Sequence, residues 1–301
     1  RVVSTAGSLL GASVGDTGVG DITQTLINTS GVTAAVTYEV FATSPASCTG
    51  QAQILTVTVN SEPVGALQTI IRCSDEPLNY DIQVQNINAL GNNLPSVFTY
   101  TVTSSDEINF PTPPALDRTV ATSNPITDVY TNASGAFYEI YYDILAEDPI
   151  TTCQADAPFR VTFRIENEPV GADETIDACS GAALAYDLQD NVNTLGNSVI
   201  SNFSWSAVDN GSVTCESTTP QTGDILDDLL VNVSGVDQTV IYTVTPTNDA
   251  NNCEGDPFDV TVVVQSQPLG VNDAITTCSN DALTYDLQAN VNGGNGVAST
   301  F

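Results

Sequence analysis

Three segments of this chain carry the same landmarks at the same internal distances. Glu62-Pro63-Val64-Gly65 is followed eight residues later by Cys73, then by Tyr80-Asp81-Ile82-Gln83. Glu168-Pro169-Val170-Gly171 leads likewise to Cys179 and Tyr186-Asp187-Leu188-Gln189, and Gln267-Pro268-Leu269-Gly270 to Cys278 and Tyr285-Asp286-Leu287-Gln288. The offsets are 106 and 99 residues, and all landmarks move together. A second set keeps nearly the same period: Asn28-Thr29-Ser30-Gly31, Asn132-Ala133-Ser134-Gly135 and Asn232-Val233-Ser234-Gly235. Each of these precedes an alternating segment, a cysteine (Cys48, Cys153, Cys253) and an apolar run. A period this long means stacked units, each large enough to be a domain. The 301 residues divide into the back of one repeat (1–61), two full repeats (62–167 and 168–266) and the front of a fourth (267–301). Both ends therefore read as cuts in a longer protein.

Within a repeat the pattern is that of short strands. Phe258-Asp259-Val260-Thr261-Val262-Val263-Val264 is rich in β-branched residues, and Val240–Thr245 alternates over its second half. Phe98-Thr99-Tyr100-Thr101-Val102 matches Phe203-Ser204-Trp205-Ser206-Ala207. Gly, Asn, Asp and Pro punctuate at short intervals. No stretch shows convincing helical periodicity, and Ile225–Val233 reads as a short helix or a strand. The expected fold class is all-β, a rod of tandem immunoglobulin-like β-sandwiches.

Composition removes whole reaction classes. The 36 acidic residues face five basic ones, and histidine, lysine and methionine are absent. Without histidine there is no Ser-His-Asp or Cys-His pair and no His-ligated zinc. Without lysine there is no Schiff base, phosphate-loop lysine or lysine isopeptide crosslink. A carboxylate-pair glycosidase survives only because so many acids make a chance pair easy. A net charge of −31 repels nucleic acid and anionic lipid, and no apolar run approaches a membrane span, so neither is expected as a partner. No catalytic site and no enzyme activity are expected.

Seven cysteines suggest an oxidising compartment. Two pairing schemes fit the period. One stays within a repeat, Cys73–Cys153 and Cys179–Cys253, leaving Cys48 and Cys278 to pair outside the sequence. The other crosses a junction, Cys48–Cys73, Cys153–Cys179 and Cys253–Cys278. The first is preferred, because Cys253 precedes the last strand and Cys179 directly precedes the first clear one, which puts both at the domain entrance. Cys215 has no counterpart and is left as a free thiol, a small buried hydrophobe or an intermolecular partner.

The Pro-Val-Gly and Pro-Leu-Gly segments mark boundaries, proline stiffening the chain and glycine permitting a turn. The Asn-x-Ser-Gly motifs match the N-glycosylation pattern, as do Asn202-Phe203-Ser204 and Asn210-Gly211-Ser212, but their fixed place suits turn chemistry better. Asp81, Asp187 and Asp286 recur; they are turn caps or strand-surface carboxylates, with calcium as the sharper alternative. No other cofactor is expected. Trp205 and its counterpart Tyr100 read as core aromatics, Trp205 being the one candidate for ligand stacking.

The repeat resembles the PKD-like or immunoglobulin-like tandem domains of giant Bacteroidota surface proteins. The resemblance is carried by the Pro-Val-Gly entrance, the Cys-Ser step (Cys73-Ser74-Asp75, Cys179-Ser180-Gly181, Cys278-Ser279-Asn280) and the Cys-x-Gly-x-Pro-Phe step at Cys253–Phe258. It implies type IX secretion, display on the cell surface and service in gliding or attachment adhesins, filaments or hook-like appendages. The expected partners are neighbouring repeats of the same chain, a multi-chain fibre of its own kind, or a surface glycan or protein. A binding module and a non-catalytic spacer of a large secreted hydrolase are the alternatives to a stalk or filament segment.

Overall fold

The computed structural model describes residues 1–105, 123–232 and 234–301. The chain forms two compact units, Arg1–Asn132 with Phe137–Ile165, and Ala133–Ala136 with Glu166–Phe301.

The described residues of the first unit form two sheets. One has three antiparallel strands, β1 (Val2–Ala6), β2 (Ala34–Val40) and β3 (Gln53–Val59), in spatial order β1-β2-β3. The other contains β4 (Gln68–Cys73), β5 (Val97–Ser104), β6 (Tyr138–Glu147) and β7 (Phe159–Glu166), in order β4-β7-β6-β5. Alternation builds this sheet: every second residue of β6, from Tyr138 to Ala146, is buried. Tyr142 and Phe163 meet edge-on with ring centroids 5.4 Å apart, and Leu78, Tyr80, Ile82 and Ile87 close the core from the other side. Gln83–Asn88 is a short π-helix.

The second unit repeats the plan. Its strands are β8 (Glu174–Cys179), β9 (Tyr186–Asp187), β10 (Ser201–Ala207), β11 (Val213–Thr214), β12 (Gln221–Thr222), β13 (Ile225–Leu226), β14 (Val231–Asn232), β15 (Gln238–Asn248) and β16 (Phe258–Gln265). The main sheet runs β12-β10-β15-β16-β8, faced by the small pairs β13-β9 and β11-β14. Between them lie Leu188, Trp205, Tyr242, Val244, Val260 and Val262, all buried. The segment at Ile225–Val233 is thus strand over Ile225–Leu226 and Val231–Asn232, Val233 itself lying outside the described residues.

Two features differ from the sequence expectation. Helices α1 (Leu188–Leu195) and α2 (Leu287–Gly294) follow the Tyr-Asp step. Two turns are too short to establish a period, and the inward position between Leu188 and Val192 is taken by a buried asparagine, Asn191. The first strand of the full repeat comes before its cysteine, not after it. β8 ends at Cys179 and lies parallel to β16, with Glu174 opposite Val260 and Cys179 opposite Gln265.

Candidate functional site: the asparagine joint

The Pro-Val-Gly or Pro-Leu-Gly segment is held each time by two asparagines, one inside the helix that follows it and one just past that helix's end. In the second full repeat the Val170 N–H donates to Asn197 Oδ1 at 3.0 Å, and Asn197 Nδ2 donates to the Glu168 carbonyl at 2.8 Å. The same amide donates at 3.0 Å to the carbonyl of Ala133, in the Asn-x-Ser-Gly turn of the preceding repeat. One side chain therefore ties three segments: the helix end that carries it, the linker and the turn of the previous repeat.

The geometry recurs. Asn92 Oδ1 accepts from Val64 N at 3.1 Å, and its Nδ2 donates to Glu62 O at 2.7 Å and to Thr29 O at 3.1 Å. Asn295 Oδ1 accepts from Leu269 N at 3.0 Å and its Nδ2 donates to Gln267 O at 2.8 Å. A second asparagine, five or six residues earlier and inside the helix, pairs with linker backbone as a strand would. Asn191 accepts from Ala172 N and donates to Ala172 O, both at 3.0 Å; Asn86 does the same with Ala66 and Asn290 with Val271. Asn86 and Asn191 are buried, so these bonds form away from competing water.

Glycines make the approach possible. A Cβ on Gly91, Gly196 or Gly294 would stand 1.6–1.7 Å from the linker carbonyl of Val64, Val170 or Leu269. Gly31 and Gly235, at positive φ in their turns, face the carbonyls of Asn92 and Asn295 at 2.1 and 2.4 Å from a built Cβ. The joint was visible in the sequence as Leu90-Gly91-Asn92 and Leu195-Gly196-Asn197, a repeated step that composition and strand patterning did not single out.

The Asn-x-Ser-Gly asparagines act inside the fold. Asn232 is buried; its amide donates to Val236 O and Val264 O at 2.8 Å each, and its Oδ1 accepts from Ser234 N and Oγ. Asn28 makes the corresponding bonds to Val32, Val59 and Ser30, and Asn132 donates to Ile165 O. These amides staple a turn to the last strand and are not available to an enzyme that attaches glycan.

The predicted site residues fall elsewhere. Asp187 is the N-cap of α1, accepting from the N–H groups of Gln189 and Asp190, and Asp286 caps α2 through Ala289 N. Asp81 Oδ1 accepts from Val84 N and Asn124 Nδ2. Each carboxylate is thus occupied as a cap, and among the described residues no three acidic or cysteine side chains are grouped to hold a metal ion. Trp205 is buried, its ring 5.7 Å from that of Tyr242, so the ligand-stacking role is overturned by position.

The preferred disulfides are overturned as well. Cys153 and Cys179 are free thiols, as are Cys48, Cys215 and Cys278; Cys73 and Cys253 are the disulfide-bonded cysteines. The reason is the direction of β8. Cys179 lies beside Gln265 at the end of β16, whereas Cys253 sits in the β15–β16 hairpin before Phe258. Phe258 and Gln265 alone are separated by roughly 23 Å at about 3.3 Å per residue, far beyond the approximately 7 Å that a disulfide spans. In the first unit Ser74 Oγ, next to Cys73, accepts from Asn132 N beside the end of β7, while Cys153 lies in the β6–β7 hairpin.

The profile of the PKD-like domain matches residues 2–63, 69–169 and 176–268. The chain belongs to the PKD-like domain family. No curated protein sequence matches it. Among solved structures, the human Desmocollin-1 ectodomain is 12% identical over 83% of this chain and 50% of its own, with a TM-score of 0.25. Drosophila N-cadherin EC1-3 is 10% identical over 78% and 76%, with a TM-score of 0.23, and the chicken CNTN1 FN1-FN3 domains 8% over 78% and 76%, at 0.26. This chain thus spans half the length of the desmocollin chain. The PKD-like domain is a non-catalytic, typically extracellular domain type. No helix among the described residues is long and apolar enough to cross a membrane.

Proposed function

We propose that this chain is a structural segment of a long extracellular adhesin, filament or appendage, in which tandem PKD-like repeats bounded at 61/62, 167/168 and 266/267 supply reach. The observation that carries this reading is the asparagine joint. Asn92 and Asn197 each spend one amide on the linker and on the turn of the repeat before it, at matching distances. A chain whose repeats were independent ligand-binding heads would have no need of a repeated bond at each junction. The acidic surface suits a soluble extracellular polymer. Export by the type IX route in a Bacteroidota cell, and lateral association into a multi-chain fibre, belong to the same proposal and rest on the family resemblance.

Electron microscopy of the native assembly tests it. Extended threads or an ordered fibre are the expected result; isolated compact particles overturn it. In the purified chain, Asn92→Ala with Asn197→Ala should broaden the distribution of end-to-end lengths while each repeat stays folded by circular dichroism.

A further inference from the structure

Each full repeat carries one cysteine at the end of its first strand and another in the hairpin before its last. The entrance cysteine closes β4 or β8, and its carbonyl accepts from the N–H three residues on: Glu76 N to Cys73 O at 3.4 Å, Ala182 N to Cys179 O at 3.1 Å. The hairpin cysteine's carbonyl accepts from the N–H five residues back: Asp148 N to Cys153 O at 2.9 Å, Asn248 N to Cys253 O at 2.8 Å. The two positions are built alike in both repeats but are used crosswise. In the first full repeat the entrance cysteine, Cys73, is disulfide-bonded and the hairpin cysteine, Cys153, is free; in the second the hairpin cysteine, Cys253, is bonded and the entrance cysteine, Cys179, is free.

The second unit shows where a hairpin cysteine is carried. Asn248 Nδ2 donates to the Asn167 carbonyl at 3.1 Å and Asn251 Nδ2 to Glu166 Oε2 at 3.2 Å, so the Cys253 hairpin sits on the last residues of the preceding repeat. A Cβ on Gly255 would stand 2.0 Å from Pro169 O, so the hairpin also lies close against the linker. One period on, the places of Glu166 and Asn167 are taken by Gln265 and Ser266. Cys179 stands there: it faces Gln265 in the β8–β16 ladder, its Sγ lies 4.0 Å from Gln265 Oε1, and it is exposed. A hairpin seated on 265–266 as 248–253 is seated on 166–167 carries its cysteine to the end of β8 that Cys179 occupies.

We propose that the entrance cysteine of each repeat is disulfide-bonded to the hairpin cysteine of the repeat that follows it. Cys179 is then the site for the hairpin cysteine of the next PKD-like repeat, and Cys153 the site for the entrance cysteine of the one before. The bond forms by thiol–disulfide exchange with a protein or small-molecule disulfide as oxidant. The Cys179 thiolate attacks that disulfide and releases one of its sulfurs as a thiolate; the hairpin thiolate then displaces the other. The cysteine pair loses two electrons and two protons, and the oxidant ends as two thiols. Such a bond spans the same junction that the asparagine joint holds by hydrogen bonds, and it persists when those open. The inference rests on the succession of the repeats and not on the structural-segment reading.

Non-reducing peptide mapping of the whole chain, purified as a monomer, tests it. A Cys73–Cys253 peptide should be recovered, with Cys48, Cys153, Cys179, Cys215 and Cys278 all alkylated in denaturant. Cys73→Ser should add Cys253 to the alkylated set, whereas Cys179→Ser should leave the cross-link in place. The unsubstituted chain carries the decisive result, so a variant that fails to fold does not blunt the test. In the native protein the Cys179 peptide should be recovered bonded to the hairpin cysteine of the following repeat. A free thiol at Cys179 in that protein overturns the proposal, as does a Cys73–Cys253 bond found only between two copies of the chain, seen as covalent multimers on a non-reducing gel. A Cys73–Cys253 peptide from a protein seen as compact particles would instead count against the structural-segment reading alone.

Discussion

Gly171 lies against the ring of Phe258, so closely that a Cβ on the glycine would stand 2.3 Å from ring carbon Cε1. Gly65 meets Phe159 in the same way at 2.4 Å. Both rings are buried, so neither can swing clear. The linker glycine is therefore demanded by close packing against the first residue of the last strand. Gly171→Ala should destabilise its repeat by about 1–3 kcal/mol through overpacking, read as a fall in the denaturation midpoint. An unchanged midpoint would show that the ring yields.

Asn232→Asp replaces two amide donors with a carboxylate facing the carbonyls of Val236 and Val264. Loss of both donors should cost about 1–3 kcal/mol, and charge repulsion adds to it at neutral pH. The melting temperature of this variant should fall further at pH 7 than at pH 4, whereas Asn232→Ala should show no such difference. Equal losses for the two variants at both pH values would mean that the carboxylate charge adds nothing to the loss of the amide bonds.

Asp187 separates capping from metal binding. Asparagine is as good an N-cap as aspartate, so Asp187→Asn should keep near-native stability, whereas Asp187→Ala should lose about 0.5–2 kcal/mol. Added calcium should not raise the melting temperature of the unsubstituted protein. A calcium-dependent rise abolished by Asp187→Asn would restore the metal reading.

Three tyrosines set an alkaline limit. Burial, together with the hydrogen bond to Glu174, pushes the Tyr186 hydroxyl up to about 12. Burial chiefly, then the bond to Asp228, raises Tyr242; burial, then Tyr130 and Asp128, raises Tyr142. An unfolded tyrosine titrates near 10. The folded state holds the proton more tightly, so the stability from these groups is fully present below about pH 10 and is lost as pH rises above it. Absorbance at 295 nm should show these phenols ionising only with unfolding. Ionisation in a chain that is still folded would contradict their burial.

The thiols can be counted directly. Cys179, Cys215, Cys48 and Cys278 are exposed and free, so all four should alkylate without denaturant, Cys153 more slowly. A non-reducing digest should contain no Cys73–Cys153 or Cys179–Cys253 peptide. Recovery of either would reverse the strand order described for that repeat.

The sequence by itself determined the period, the all-β class and which residues of β6, β10, β15 and β16 turn inward, since strand alternation is a local property repeated along each element. It also carried signals that alternation does not weigh. Ile176 and Ala178 alternate with Thr175, Asp177 and Cys179, but a half-polar run of six residues reads equally as linker. Asp187 caps a helix whose inward stripe is broken by Asn191. Only the tertiary structure decided that β8 docks parallel to β16, a choice of edge and direction that no local pattern encodes. That one non-local pairing sends Cys179 away from Cys253 and brings the linker within reach of Asn191 and Asn197.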